Sequence, residues 1–128
     1  MFDSGVGGLT VLKRVLERHR ETSTIYLADN ARMPYGDKSP EEIRSIAVEV
    51  TEWLTSQRVS AILMACNTTN SLALDIVERL GGVPVIDLIH SAGAMVCEEK
   101  VGVLATQATV STNLYSKIIK RFRPGTLG

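Results

Sequence analysis

Residues 59–71, VSAILMACNTTNS, end an apolar run of strand length in a thiol and follow it at once with Asn67, Thr68, Thr69, Asn70 and Ser71. A buried parallel strand reads as a continuous apolar run, and in open α/β sheets ligands collect beyond the carboxyl ends of the strands. Cys66 therefore stands where a ligand would lie. The helix expected after it presents free N–H groups and a partial positive charge, which favour negative charge on the sulfur. The corner then offers a base or nucleophile beside anion-binding donors. The plainer alternative is that Cys66 is one more small buried hydrophobe, as free cysteines commonly are.

Two further stretches could supply partners. Asp3-Ser4-Gly5-Val6-Gly7-Gly8 opens a helix: its glycines let the backbone turn tightly and aim N–H groups at an anion, while Asp3 and Ser4 add a carboxylate and a hydroxyl. An aspartate suits a phosphate site poorly. It suits an amino-acid ligand better, where it attracts the ammonium or assists an acid–base group. A dinucleotide site is the rival, because Gly5-Val6-Gly7-Gly8 begins like that fingerprint and Asp29 closes the second strand about 20 residues on. Against it, Thr10 occupies the place of the third glycine and Asp3 would repel a pyrophosphate. The other stretch is Pro34-Tyr35-Gly36, which reads equally well as a tight turn. Asn/Thr clusters likewise often only cap helices.

The elements that must position these loops follow from periodicity. Only Met1 and Phe2 precede the glycine-rich turn, so the first strand is expected to be very short and the N-terminus to have lost residues. Leu9, Leu12 and Leu16, with Val11 and Val15, make an apolar helical stripe while Lys13, Arg14, Glu17 and Arg18 face out. Residues 24–28, TIYLA, read as a strand and 29–38 as a loop. Ser39-Pro40-Glu41-Glu42 carries a helix-start signature with a capping box. Ile43, Ile46, Ala47, Val50 and Leu54 form its buried stripe, with Trp53 at the edge. After the Cys66 corner, Leu72, Ala73, Ile76, Val77 and Leu80 mark a helix ended by Gly81-Gly82. Residues 83–89 read as a strand, 90–99 as a helix that buries Cys97, and 101–106 as a strand. Val110, Leu114, Ile118 and Phe122 mark a last helix before the tail RPGTLG. Strands alternating with long helices predict an α/β fold, a parallel sheet flanked by helices, with the three loops at one end of the sheet.

With 14 basic and 14 acidic residues among 128, the chain gives no electrostatic case for nucleic acid or an anionic membrane. No apolar run reaches the roughly 20 residues of a membrane span, and no secretory signal pattern opens the chain. A cytoplasmic location is expected, with Cys66 and Cys97 both reduced. His19 and His90 stand apart from the cysteines, so no metal site is expected.

Four segments carry a resemblance: FDSGVGGLTVL from Phe2, YLADNARMPYG from Tyr26, ACNTTNSLAL from Ala65 and, more loosely, VGVLATQATVSTNLY from Val101. In order and spacing they resemble the N-terminal half of the glutamate branch of the cofactor-independent aspartate/glutamate racemase family. The resemblance implies inversion at the α-carbon of glutamate by two cysteines on opposite faces of a planar carbanion, without pyridoxal phosphate or any other cofactor. It assigns Cys66 as one of the two and Asp3 as its acid–base neighbour. Ser4, Pro34, Tyr35, Gly36, Asn67 and Thr68 are implied to line the glutamate site, with Thr106 or Thr109 contributing from a second lobe.

The family's second cysteine belongs to a downstream Cys-Thr-His segment, and Cys97 lacks that threonine and histidine. On this likeness residues 1–95 form an incomplete first lobe and 96–128 begin a second. The chain is expected to be truncated, and to be inactive alone. The implied product, D-glutamate, serves peptidoglycan, and members of the family often pair as homodimers. An aspartate or related amino-acid racemase, and a non-catalytic binding fragment, stay open as alternatives.

Overall fold

The computed structural model describes residues 1–125; residues 126–128 of the tail lie outside it. Four parallel strands, β1 (Phe2–Asp3), β2 (Leu27–Ala28), β3 (Ile62–Met64) and β4 (Val85–Asp87), stand in the order β2-β1-β3-β4. Six helices surround or follow them: α1 (Leu9–Arg18), α2 (Pro40–Ser56), α3 (Asn67–Gly81), α4 (Leu88–Met95), α5 (Gln107–Ser111) and α6 (Leu114–Phe122). The α/β class and the parallel sheet are as the alternation predicts. The register pairs Phe2 with both Leu27 and Met64, and Leu63 with Ile86.

Strand order decides which face each helix covers. The step from β1 to β2 runs one way across the sheet, and the steps from β2 to β3 and from β3 to β4 run the other way. Right-handed crossovers therefore put α1 on the face opposite α2 and α3. The core lies under α2 and α3, where Phe2, Ile62 and Met64 meet Ile43, Ile46, Val50, Leu54, Ile76 and Val77. The stripe read on α2 is buried throughout, and Trp53 stays at the surface. The capping box at Ser39 forms in full, Ser39 N–H donating to Glu42 Oε2 at 2.8 Å and Glu42 N–H to Ser39 Oγ at 3.2 Å. The stripe on α1 has the opposite fate: that helix holds no buried residue, and Leu9 and Leu16 are 46% and 44% exposed.

Several expected elements are redrawn. The polar cluster after Cys66 is not a loop: α3 begins at Asn67 and breaks at Ala73 (φ −144°, ψ 15°), which separates its polar first turns from the apolar stripe beyond. Gly82, in the left-handed region at φ 61°, ends the helix as read. Residues 101–106 form no strand, and Leu104 is fully exposed. An apolar run becomes a strand only where a neighbour satisfies its backbone groups, and among the described residues none pairs with it. The last helix is two, because Asn113 takes a left-handed conformation (φ 53°) between α5 and α6.

Cys97 is neither helical nor in the core. The helix stops at Met95, Val96 is extended, and Arg123 Nε donates to the Val96 carbonyl at 3.1 Å, so the helix end is satisfied from α6's side. Cys97 is left exposed, its Sγ 3.8 Å from Arg123 Nη2.

Candidate active site

Parallel strands send their carboxyl ends to one edge of the sheet, and that edge gathers the residues singled out in the sequence. β1 and β3 are hydrogen-bonded neighbours, with Ala65 N–H donating to the Phe2 carbonyl at 2.8 Å. Asp3 and Cys66 each follow that bond by one residue. They leave adjacent strands at the same level.

The first loop wraps around Asp3. Its buried carboxylate accepts, at Oδ2, from Gly5 N–H at 3.2 Å and Gly8 N–H at 2.9 Å. The glycine-rich turn thus satisfies its own aspartate. Gly8 has to be glycine here, because a Cβ would stand 2.6 Å from Asp3 Cβ and 2.8 Å from the Tyr26 hydroxyl. Tyr26 closes the loop from β2's side by donating to the Gly5 carbonyl at 2.8 Å. Burial and the Asp3 charge both raise its phenol above the ordinary value. Ser4 is half-buried beside Asp3.

The second loop carries Pro34, whose peptide with Met33 is cis, then a short 3-10 turn over Tyr35–Asp37. Pro34 is exposed and Tyr35 is buried, its ring 6.4 Å from that of Phe2. The Tyr35 hydroxyl donates to Asp29 Oδ2, which also accepts from Arg32 Nε at 2.6 Å. Arg32 in turn reaches Glu49 of α2 at 2.7 Å. Burial first, and then the bond to Asp29, push the Tyr35 phenol far above its usual range. The tyrosine is therefore neutral, and its hydroxyl faces Asp29. Asp29 thus has a structural use within this loop, holding Tyr35 and Arg32 at one carboxylate oxygen.

At the third corner, buried Cys66 is the N-cap residue of α3, extended at φ −87° and ψ 112°, with no side chain capping the helix. The first-turn N–H groups are left for another acceptor, as the sequence implied. Thr68 is buried, with Oγ1 3.2 Å from Oγ1 of Thr106; Thr106 Oγ1 donates to Thr109 Oγ1 at 3.1 Å. Asn67 is exposed and its Oδ1 accepts from the Tyr115 hydroxyl of α6.

Contacts run from loop to loop. A Cβ on Gly5 would lie 3.5 Å from Met33 Cε, and one on Gly36 3.1 Å from Thr106 Cγ2. The structure thus gathers Asp3, Ser4, Tyr35, Gly36, Cys66 and Thr68 on one rim, with Asn67 and Pro34 at its outer side and Thr106 bridging the second and third loops. Two residues beside this rim take parts the sequence did not assign them, Asn70 and Asp29, the latter offered only as a ribose partner in the dinucleotide reading. Asn70, read only as part of a polar cluster, is fully buried and bonded to the Cys66 carbonyl. Asp29 anchors Tyr35. The signal for Asp29 was its place one residue past a strand end.

Among the described residues no group of three or more His, Cys, Asp or Glu side chains could hold a metal, and no helix is long and apolar enough to cross a membrane.

Comparison with known proteins gives one family throughout. The Asp/Glu/Hydantoin racemase family matches residues 4–125. A glutamate racemase of Synechococcus sp. (strain CC9605) is 55% identical over 126 residues, covering 98% of this chain and 48% of that protein. One from Prochlorococcus marinus (strain NATL2A) is 51% identical over the same shares. The crystal structure of Francisella tularensis glutamate racemase in complex with D-glutamate superposes at a TM-score of 0.90 with 40% identity, covering 98% of this chain and 48% of that one. The glutamate racemase of Aquifex pyrophilus superposes at 0.87 with 36% identity, over 95% and 50%. The chain spans about half the length of the curated relatives it matches. By the family match, its coverage and these relatives, the chain belongs to the Asp/Glu/Hydantoin racemase family.

Proposed function

We propose that this chain is the Cys66-bearing half of a glutamate racemase, and that Cys66 exchanges a proton with the α-carbon of glutamate. The observation that carries the reading is the placing of Cys66 and Asp3 at the same level on adjacent strands, in a chain 40% identical to an enzyme solved with D-glutamate. On this reading the Cys66 thiolate takes the α-proton and becomes a thiol, the electron pair delocalises into the α-carboxylate, and a second thiol returns a proton to the opposite face. In the reverse direction the two sulfurs exchange roles. Asp3 is the acid–base neighbour of Cys66. The free N–H groups of α3, with Ser4, Asn67 and Thr68, hold the carboxylate as charge develops. Pro34, Tyr35 and Gly36 shape the wall, with the neutral Tyr35 contributing surface. No cofactor takes part.

Cys97 is not the second thiol on this reading, because it lies exposed beside Arg123, after α4. The second thiol comes from outside these 128 residues, and the division at residue 95 between a first and a second lobe belongs to the same reading. So do a cytoplasmic location, pairing of two copies, and supply of D-glutamate for peptidoglycan.

The test is α-proton exchange in deuterated water followed by NMR, with L- and D-glutamate supplied separately to the chain and to Cys66→Ala. Exchange from one enantiomer only, abolished by Cys66→Ala, is expected. Exchange that survives Cys66→Ala, or sustained interconversion of the enantiomers by this chain alone, overturns the reading.

A further inference from the structure

We propose that Asn70 is the positioning residue of the Cys66 corner, a buried clamp that fixes the thiol-bearing peptide and ties it to the start of α4. The proposal rests on the reading of Cys66 as a proton-transfer residue. Asn70 lies one helical turn beyond Cys66 and is fully buried. Its Nδ2 donates to the Met64 carbonyl at 2.8 Å and to the Cys66 carbonyl at 2.7 Å, and its Oδ1 accepts from Leu88 N–H at 3.2 Å. In extended chain, residues two apart point their carbonyls the same way, so the carbonyls of 64 and 66 can be gripped by one group. That group needs two N–H donors in a planar fork, with an acceptor on the other side. A primary amide is the side chain of this size that has both.

Cys66 itself is where the chain turns from strand to helix, and its extended conformation is outside the helical ladder. Its carbonyl accepts both the Asn70 backbone N–H at 2.9 Å and the Asn70 amide. With this peptide held from two sides, the Cα–Cβ direction that carries Sγ is fixed as well. The third bond reaches Leu88, the first residue of α4, immediately after Asp87 caps that helix by accepting from His90 N–H at 2.8 Å. The Cys66 corner and the β4–α4 junction are therefore held by one side chain.

The experiment compares iodoacetamide alkylation of Cys66 with that of exposed Cys97, resolved by mass spectrometry, in the chain, Asn70→Ala and Asn70→Asp. The control is Ile76→Val or Val77→Ala, whichever matches the urea midpoint of the Asn70 variants, so that a general loss of stability is subtracted. Backbone hydrogen exchange at Leu88 is read in parallel. Relative to the control, both Asn70 variants are expected to raise the Cys66 to Cys97 ratio by about tenfold or more, through local opening of the corner. Leu88 loses protection in Asn70→Ala and keeps it in Asn70→Asp, which retains the acceptor while removing N–H donors. A ratio within about twofold of the matched control shows Asn70 to be only a stabilising core residue and overturns the proposal. The two readings fail separately: a ratio that moves while α-proton exchange survives Cys66→Ala keeps the clamp and removes the chemistry. Exchange lost in Cys66→Ala with an unmoved ratio does the reverse.

Discussion

Replacing Gly8 with alanine strikes the first loop where it has least room. The added Cβ meets Asp3 Cβ at 2.6 Å, the Tyr26 hydroxyl at 2.8 Å and Asp3 Cγ at 3.0 Å. Asp3 Cβ cannot swing aside, since it is fixed to a strand hydrogen-bonded on both sides. The Tyr26 hydroxyl is tied to the Gly5 carbonyl. The loop must retreat, and the 2.9 Å bond from Gly8 N–H to the Asp3 carboxylate goes with it. Overpacking costs about 1–3 kcal/mol and a hydrogen bond to a charged group about 1.5–3. One displacement relieves the first by giving up the second, so the sum overlaps and about 3 kcal/mol is expected. With a urea slope of about 1.5 kcal/mol/M, the unfolding midpoint falls by about 2 M.

The Asp3→Gly background tests the cause, because it removes both the obstructing Cβ and the acceptor. There Gly8→Ala still meets the Tyr26 hydroxyl, the far end of a side chain, and is expected to cost about 1 kcal/mol, a coupling of about 2 kcal/mol between the two positions. A loss below about 1 kcal/mol in the unaltered chain, or additive effects in the cycle, would refute the close packing of Gly8 on Asp3.

Tyr35→Phe deletes the hydroxyl bond to Asp29 and leaves Arg32 as that carboxylate's partner; about 1.5 kcal/mol is expected from urea unfolding near neutral pH. The same variant separates from the parent in alkali. Because the folded phenol ionises above its ordinary 10.0, its contribution is complete below pH 10 and is lost as pH rises beyond it, so the parent weakens more steeply there than Tyr35→Phe. Ser39→Ala removes the cap of α2 and is expected to cost about 1 kcal/mol in thermal or urea unfolding. The Ser39 backbone and hydroxyl hold the Glu42 carboxyl below its ordinary 4.5. The stability difference between the parent and Glu42→Gln is therefore complete above pH 4.5 and closes as the pH falls below that, through the lower folded value.

Legibility followed the range of the forces involved. The cap at Ser39, the stop at Gly82 and the buried stripe of α2 depend on residues within a turn or two of each other, and all three were readable. The corner at Cys66 was readable in kind, since an apolar run that stops at a polar cluster marks a strand end in either state of the thiol. That the cluster would be helical from Asn67 was not, because Asn and Thr resist helix only weakly and the unused carbonyl of Cys66 accepts Asn70 N–H. The bridge from Thr68 to Thr106 spans 38 positions, and nothing local announces it. Cys97 was misread for a related reason. The period places it in line with Ile89 and Gly93, but α4 ends at Met95 and Arg123 takes the Val96 carbonyl.

The helices α1 and α2 show why periodicity stops short of burial. Both carry an apolar stripe at helical spacing, yet every residue of the α2 stripe is buried and α1 buries none. The difference lies in strand order, which no single helix encodes. Because β1 has β2 on one side and β3 on the other, the first crossover and the second lie on opposite faces. The second face also receives α3, and side chains of α2 and α3 together close over Phe2, Ile62 and Met64. The strands report the same asymmetry. Leu63 and Ile86 alternate away from that core, and Ile86 on β4 is 49% exposed. Their runs are apolar in continuity, as suits strands meant for cover on both faces, and among the described residues only one face is fully covered. The candidate site is indifferent to this imbalance for a geometric reason. It is built on the carboxyl edge that all four strands share, from loops closed on themselves by Asp3 and Asp29 and tied to other elements by Thr68 and Asn70, so its geometry depends on the sheet's order and on the α2–α3 core.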